Sequence, residues 1–88
     1  VKRIIFSEQA IADIRAIPRQ TAMQILIAIH RLAETGAGRV KTLQGQGGEK
    51  RLRVGDFRVR FTEESGTGPQ SANILQIHTV RNRKEAYR

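Results

Sequence analysis

A chain of 88 residues has room for one hydrophobic core, and its apolar fraction of 39% suits a compact fold rather than a disordered tail. Sixteen Lys and Arg against eight Asp and Glu leave a formal charge of +8, the electrostatic footprint of a protein that meets nucleic acid or an acidic partner. The absence of cysteine excludes disulfides and thiolate metal sites, and His30 and His78 alone are too few for a dedicated zinc site, so no metal or other cofactor is expected.

No stretch approaches the length of a membrane span, and VKRIIFSEQA lacks the apolar core of a signal peptide. The default expectation is a cytoplasmic protein with no membrane partner. No internal repeat is visible, and residues 1–88 read as a single domain. The charge is uneven, since residues 38–88 hold eleven of the basic side chains and five of the acidic ones.

In chain order, residues 2–6, KRIIF, have the composition of a short strand. Ser7 follows as a helix N-cap, with Glu8 in the favourable first turn. Ala10, Ile11, Ile14 and Ile17 recur at helical spacing, which predicts a first helix from Ser7 to about Ala16. Pro18 ends it and can open the next, because proline fits the first turn of a helix. The second helix runs to about Glu34, with Ala22, Ile25, Leu26, Ile29, Leu32 and Ala33 on one stripe. Met23 and Ile27 lie off that stripe and widen the apolar surface, through burial on a second side or as a docking site.

Gly36 and Gly38 stop the helix, and a glycine-rich connection is expected as far as Gly48, anchored by Val40 and Leu43. Gly45, Gly47 and Gly48 lack the flanking strand, helix and lysine of a phosphate-binding loop. The segment Lys50 to Phe61, KRLRVGDFRVRF, reads as a β-hairpin around the Gly-first turn Gly55-Asp56. That turn sets Leu52 opposite Val59, Arg53 opposite Arg58 and Arg51 opposite Arg60. Alternation then sends Leu52, Val54, Phe57, Val59 and Phe61 to one face and the four arginines to the other. Like charges directly across a strand pair destabilise the sheet by some tenths of a kcal/mol each, so the cluster implies a polyanion that neutralises it.

Residues 63–71 are polar and turn-rich, as in an exposed loop. Asn73 to Val80, NILQIHTV, is expected to be a central strand with both faces largely apolar, and His78 to share parity with Ile74, Gln76 and Val80. Arg81 to Arg88 then form a basic tail with one aromatic residue. The expected architecture is α+β, in the order β-α-α-β-β-β: a small, mainly antiparallel sheet with a helix hairpin on one face.

The usual catalytic parts are missing: no cysteine nucleophile, no serine elbow and no cluster of carboxylates. What remains is Lys50, Arg51, Arg53, Arg58, Arg60, Arg81, Arg83, Lys84 and Tyr87. Cleavage of RNA by its own 2′-hydroxyl suits such a set, because the substrate brings the nucleophile. The protein then has to align it, take one proton, stabilise a phosphorane and protonate the leaving oxygen. Lys50 is a candidate base, arginine forks stabilise phosphorane oxygens, and Tyr87 can stack on a base or donate a proton. The alternative is that the basic face only binds nucleic acid. His78 is expected to be a structural or surface residue, with acid-base catalysis as its other reading.

The segments VKTLQGQGGEKRLRVGDFRVRF and ILQIHTVRNRKEAYR resemble the RelE/ParE superfamily of bacterial type II toxin-antitoxin toxins, whose element order agrees over essentially the whole chain. RelE-like members cut messenger RNA in the ribosomal A site, and ParE-like members inhibit DNA gyrase. Basic residues before the hairpin turn match Lys50 and Arg51, the arginine after it matches Arg58, and the tail pattern matches Arg81, Arg83, Glu85 and Tyr87. The resemblance implies that Lys50 or Arg51 favours loss of the 2′-hydroxyl proton and that Arg58 stabilises the transition state. Arg81 then assists the leaving group and Tyr87 stacks on or orients the substrate, while Arg53, Arg60, Arg83 and Lys84 bind RNA. Two positions depart from the family: Glu49 precedes a single lysine where the family has two, and Asn82 stands where many relatives carry histidine.

The leading expectation is therefore a ribosome-dependent, metal-free mRNA endonuclease, an mRNA interferase that arrests translation. Its partners are the ribosome with its mRNA and rRNA, and a cognate antitoxin whose acidic or amphipathic segment covers the basic face or the helix hairpin. A gyrase inhibitor of the same fold and a non-catalytic nucleic-acid-binding module are the alternatives.

Overall fold

The computed structural model describes residues 2–42, 48–64 and 73–86, with side chains for all of these except 85 and 86. Five strands and three helices follow in the order β1 (Arg3–Phe6), α1 (Glu8–Arg15), α2 (Arg19–Thr35), β2 (Arg39–Thr42), β3 (Lys50–Val54), β4 (Phe57–Glu64), β5 (Ile74–Asn82) and α3 (Arg83–Ala86). The strands form one mixed sheet ordered β1-β5-β4-β3-β2, in which β1 runs parallel to β5 and every other pair is antiparallel. The α+β class and the helix hairpin on one face agree with expectation. No helix among the described residues is long and apolar enough to cross a membrane.

The helices begin and end where their local chemistry dictates. Ser7 Oγ accepts the Ala10 N–H as the α1 cap and also donates to the His78 carbonyl at 2.7 Å, so one hydroxyl both starts the helix and fastens it to β5. Pro18 provides a carbonyl for the Ala22 N–H but no capping side chain. Gly36, at φ 75°, closes α2 in the left-handed conformation with its N–H on the Leu32 carbonyl.

The core lies between the helix hairpin and one face of the sheet. Ala10, Ile25, Ile29, Leu32 and Ala33 meet Leu52, Val59, Phe61, Leu75, Ile77 and Val80, and Ile14 and Ile17 pack at the margin. The stripe expected on α2 is buried, apart from Leu26 at its border. Met23 and Ile27 are about half exposed, at 53% and 55%, so burial on a second side does not occur.

The turn fixes the hairpin as expected. Gly55 has φ 57°, and no described non-glycine residue has positive φ, which fits the Gly-first turn. The pairs Arg51–Arg60, Leu52–Val59, Arg53–Arg58 and Val54–Phe57 follow.

Three expectations need correction. The connection before Gly48 contains a strand, because Arg39–Thr42 pairs antiparallel with β3. Val40 in that strand is 38% exposed and is no core anchor, and Leu43 lies outside the described residues. The tail is also shorter than expected, since Arg81 and Asn82 complete β5 and residues 83–86 turn into α3. Finally, β5 does not keep one parity. The register slips between Arg60 and Phe61, which pair with Thr79 and Ile77, so His78 is an extra residue on β5. The bulge puts Val80 on the core face together with Ile77, and the opposite face of β5 carries Gln76, Thr79 and Arg81 beside a single apolar residue, Ile74.

Candidate functional site

The face of the sheet away from the helices carries cations in two rows. Directly paired residues share a face, and the pairings Arg39–Arg53, Arg53–Arg58 and Arg58–Arg81 run across β2, β3, β4 and β5. Four arginines thus stand side by side. At about 4.8 Å per strand the row covers about 14 Å. The next row on this face, two pairs further from the turn, is Lys41, Arg51, Arg60 and Thr79.

Several of these cations are held by the protein itself. Arg58 is buried although it lies on the solvent side of the sheet: its Nη1 donates to the carbonyls of Gly55 and Phe57, each at 3.0 Å. The guanidinium is folded back over its own turn and fixed there by neutral acceptors. Arg60 is clamped by Glu49, with Nη2 donating to Oε2 at 2.9 Å and Nε 2.6 Å from Oε1. Arg81 Nε lies 3.9 Å from Asp13 Oδ2, and Arg83 Nε lies 3.8 Å from Asp56 Oδ1.

Asp13 has a second task. Its Oδ2 accepts the Val80 N–H at 3.0 Å, and its Oδ1 accepts from Gln9 Nε2 at 2.8 Å. β1 ends at Phe6, opposite Ile77, so the β5 edge beyond that point has no strand neighbour and α1 supplies the acceptor instead. One carboxylate therefore finishes the sheet edge and steadies the last arginine of the row. Asp13→Ala is expected to cost about 1–3 kcal/mol, because it strands a partly buried N–H. Thermal unfolding should register that as a drop of roughly 4–8 °C per kcal/mol, and Asp13→Asn, which keeps an acceptor, should lose less.

The structure brings together Arg51, Arg53, Arg58, Arg60 and Arg81 of the expected site. It does not bring Lys50 to them. Lys50 pairs with Phe61, a core residue, and so projects on the helix side, where its Nζ lies 3.7 Å from Glu63 Oε1 while Lys2 Nζ holds the other oxygen at 3.1 Å. Strand alternation separates neighbours in sequence by the thickness of the sheet, which is why residues 50 and 51 cannot share a site. Lys50→Met is thus expected to leave the rate of any RNA cleavage within about tenfold of wild type, short of the roughly 100- to 10,000-fold cost of losing a general base. A single-turnover cleavage assay checks it.

Arg83 and Lys84 sit on α3, which docks on the hairpin turn through the Arg83 N–H and the Asp56 carbonyl at 2.7 Å. Asn82 Oδ1 accepts the Lys84 N–H at 3.0 Å and so caps this short helix. Tyr87 lies outside the described residues, and no side chain is described for Glu85. His78 Nε2 shares a hydrogen bond with Thr62 Oγ1 at 2.9 Å, a bonded position at the bulge.

Four participants were missed from sequence: Arg39, Lys41, Asp13 and Glu49. The first two belong to a strand with a single apolar residue, and the acids meet their arginines across 68 and 11 positions, distances that no local pattern encodes. Among the described residues, no three His, Asp or Glu side chains gather closely enough to hold a metal ion.

The family model described as the ParE toxin of the type II toxin-antitoxin system, parDE, matches residues 4–87. Among solved structures, the chain is similar to one in the RelB-RelE antitoxin-toxin complex from Methanococcus jannaschii, with a TM-score of 0.73, 18% identity and 94% of each chain covered. It is similar to one in the toxin-antitoxin complex RelBE2 from Mycobacterium tuberculosis, with a TM-score of 0.72, 18% identity and coverage of 93% of this chain and 98% of that one. YafQ from E. coli strain BL21(DE3) superposes over 100% of both chains with a TM-score of 0.60 and 12% identity. At these identities the likeness is one of fold. A search of curated proteins gives no match.

Proposed function

The chain belongs to the ParE toxin family of type II toxin-antitoxin systems, within the RelE/ParE superfamily, and from that premise we propose that it is a metal-free endoribonuclease that cuts messenger RNA on the ribosome. The observation that carries this reading is the four-arginine row, with Arg58 beside Arg81 on an open sheet face. In the cleavage, the 2′-hydroxyl gives its proton to water as its oxygen attacks the adjacent phosphorus. The bond to the 5′-oxygen then breaks and that oxygen takes a proton from water, leaving a 2′,3′-cyclic phosphate and a 5′-hydroxyl. Arg58 and Arg81, on adjacent strands, face the two negative charges of the phosphorane.

With Lys50 on the other side, Arg51 is the remaining member of the expected pair to stand near the attacking hydroxyl. Tyr87, which follows α3 in the sequence, is assigned to stack on a base. The ribosome supplies what the small site lacks, by splaying the message and holding it in line for attack. Its site of action is then the cytoplasm. The RelB-RelE complexes among the structural neighbours support a cognate antitoxin as the second partner. Half-exposed Met23 and Ile27 on α2 give such a partner an apolar foothold.

Gyrase inhibition is the second reading, favoured by the ParE description of the matching family model. Purified protein added to a cell-free translation reaction and, separately, to a gyrase supercoiling reaction distinguishes the two. The nuclease reading expects translation to stop and supercoiling to proceed. The reverse pattern assigns the protein to gyrase.

A further inference from the structure

We propose that β2 and the hairpin form a second phosphate subsite, in which Arg39, Lys41 and Arg53 hold the backbone of the single-stranded RNA away from the bond that is cut. The inference rests on the nuclease reading for the identity of the polyanion, and on the geometry of this face for everything else.

A groove of about 340 Å³ is lined by Arg39, Val40, Lys41, Arg51, Arg53 and Arg58, and none of the described residues in its wall is acidic. The pairings Arg39–Arg53 and Lys41–Arg51 hold its cations on one face. Where other cations of the molecule meet carboxylates, as Arg60 does with Glu49, Arg81 with Asp13, Arg83 with Asp56 and Lys50 with Glu63, the described residues place none within ion-pairing distance of Arg39, Lys41 or Arg53. The acids thus anchor one part of the basic surface and, among the described residues, leave Arg39, Lys41 and Arg53 to a ligand. Arg58 belongs to both the groove and the reacting pair, so a strand lying along the arginine row passes from one to the other without leaving the sheet.

β2 contributes little else. All four of its residues are exposed. Charged residues on an edge strand also discourage edge-to-edge pairing between molecules. That duty is indifferent to sign, whereas a phosphate subsite requires cations, and the difference provides a test.

Binding of a labelled RNA decanucleotide and of a dinucleotide with one phosphodiester would be followed by fluorescence anisotropy as salt is raised, with wild type, R39A/K41A, R39E/K41E and R39K/K41R. For the decanucleotide, the log–log salt slope should shrink by about 0.7 for each phosphate that R39A/K41A no longer neutralises. It should shrink at least as far in R39E/K41E and recover in R39K/K41R. The dinucleotide, able to fill one site at a time, should give the same slope with wild type and R39A/K41A. All four proteins should elute as the same species in gel filtration.

An unchanged decanucleotide slope in R39A/K41A overturns the proposal, as does a slope change seen with double-stranded DNA and not with RNA. If messages are cut normally while R39A/K41A binds like wild type, the subsite fails and the nuclease reading stands. If the slope changes as expected while wild type cuts nothing, the subsite stands and the nuclease reading fails.

Discussion

Arg58→Ala is expected to slow cleavage of ribosome-bound message by about 100- to 1000-fold, the cost of removing one preorganised donor from a developing oxyanion. Arg58 is the member of the row that the protein positions most firmly, through two carbonyls of its own turn. Its place on β4, between Arg53 and Arg81, puts it in the middle of the row. The same substitution removes two charge-assisted hydrogen bonds and should destabilise the hairpin by about 1–3 kcal/mol. The two effects separate experimentally. If loss of folding accounted for lost activity, Val59→Ala, a core truncation on the same strand with no donor removed from the site, would be equally slow. A much faster Val59→Ala protein, assayed below its melting temperature, places the larger effect at the site.

The second large effect is expected in the core. Phe61 is fully buried on β4 at the point where the register slips, and it is the largest of the fully buried side chains. Phe61→Ala should cost about 3–5 kcal/mol, from the forfeited transfer energy and the cavity left behind. Domains of this class are stable by only about 5–15 kcal/mol, so one side chain would remove a large share of the total. Urea denaturation should show a lower midpoint with an unchanged slope. Ile27→Ala, at a half-exposed position, should shift the midpoint far less.

Much of this architecture is legible in the amino-acid sequence. Ser7, Pro18 and Gly36 mark the helix ends because each has a local property the boundary needs, a capping hydroxyl, a fixed φ and a left-handed φ. Gly55-Asp56 fixes the hairpin register because a two-residue turn leaves no freedom in pairing. What escapes a sequence reading depends on interactions between distant parts of the chain. β2 buries nothing, so it carries no apolar alternation, and only its ladder with β3 makes it a strand. The bulge at His78 reverses parity in the middle of β5, and NILQIHTV contains no glycine to announce it.

The candidate site follows the same division. The face occupied by Arg51, Arg53, Arg58 and Arg60 follows from alternation alone. Lys50 is grouped with them as one more cation of the hairpin and again through family resemblance, although the alternation that puts Leu52 in the core also puts Lys50 on the core side. Asp13 and Glu49 are invisible as partners, since a carboxylate on α1 reaches Arg81 only after the helix has been laid along the open edge of β5.

In the nuclease reading, arginines of one sheet face do the work that histidines or metal ions do elsewhere. Toeprinting of programmed ribosomes, with a codon waiting in the A site, tests it most directly. Wild type should cut the message in the A-site codon and leave a 2′,3′-cyclic phosphate, with chelators making no difference and Arg58→Ala leaving the message almost whole. Intact messages with wild-type protein, or cleavage that survives Arg58→Ala at full rate, would contradict it.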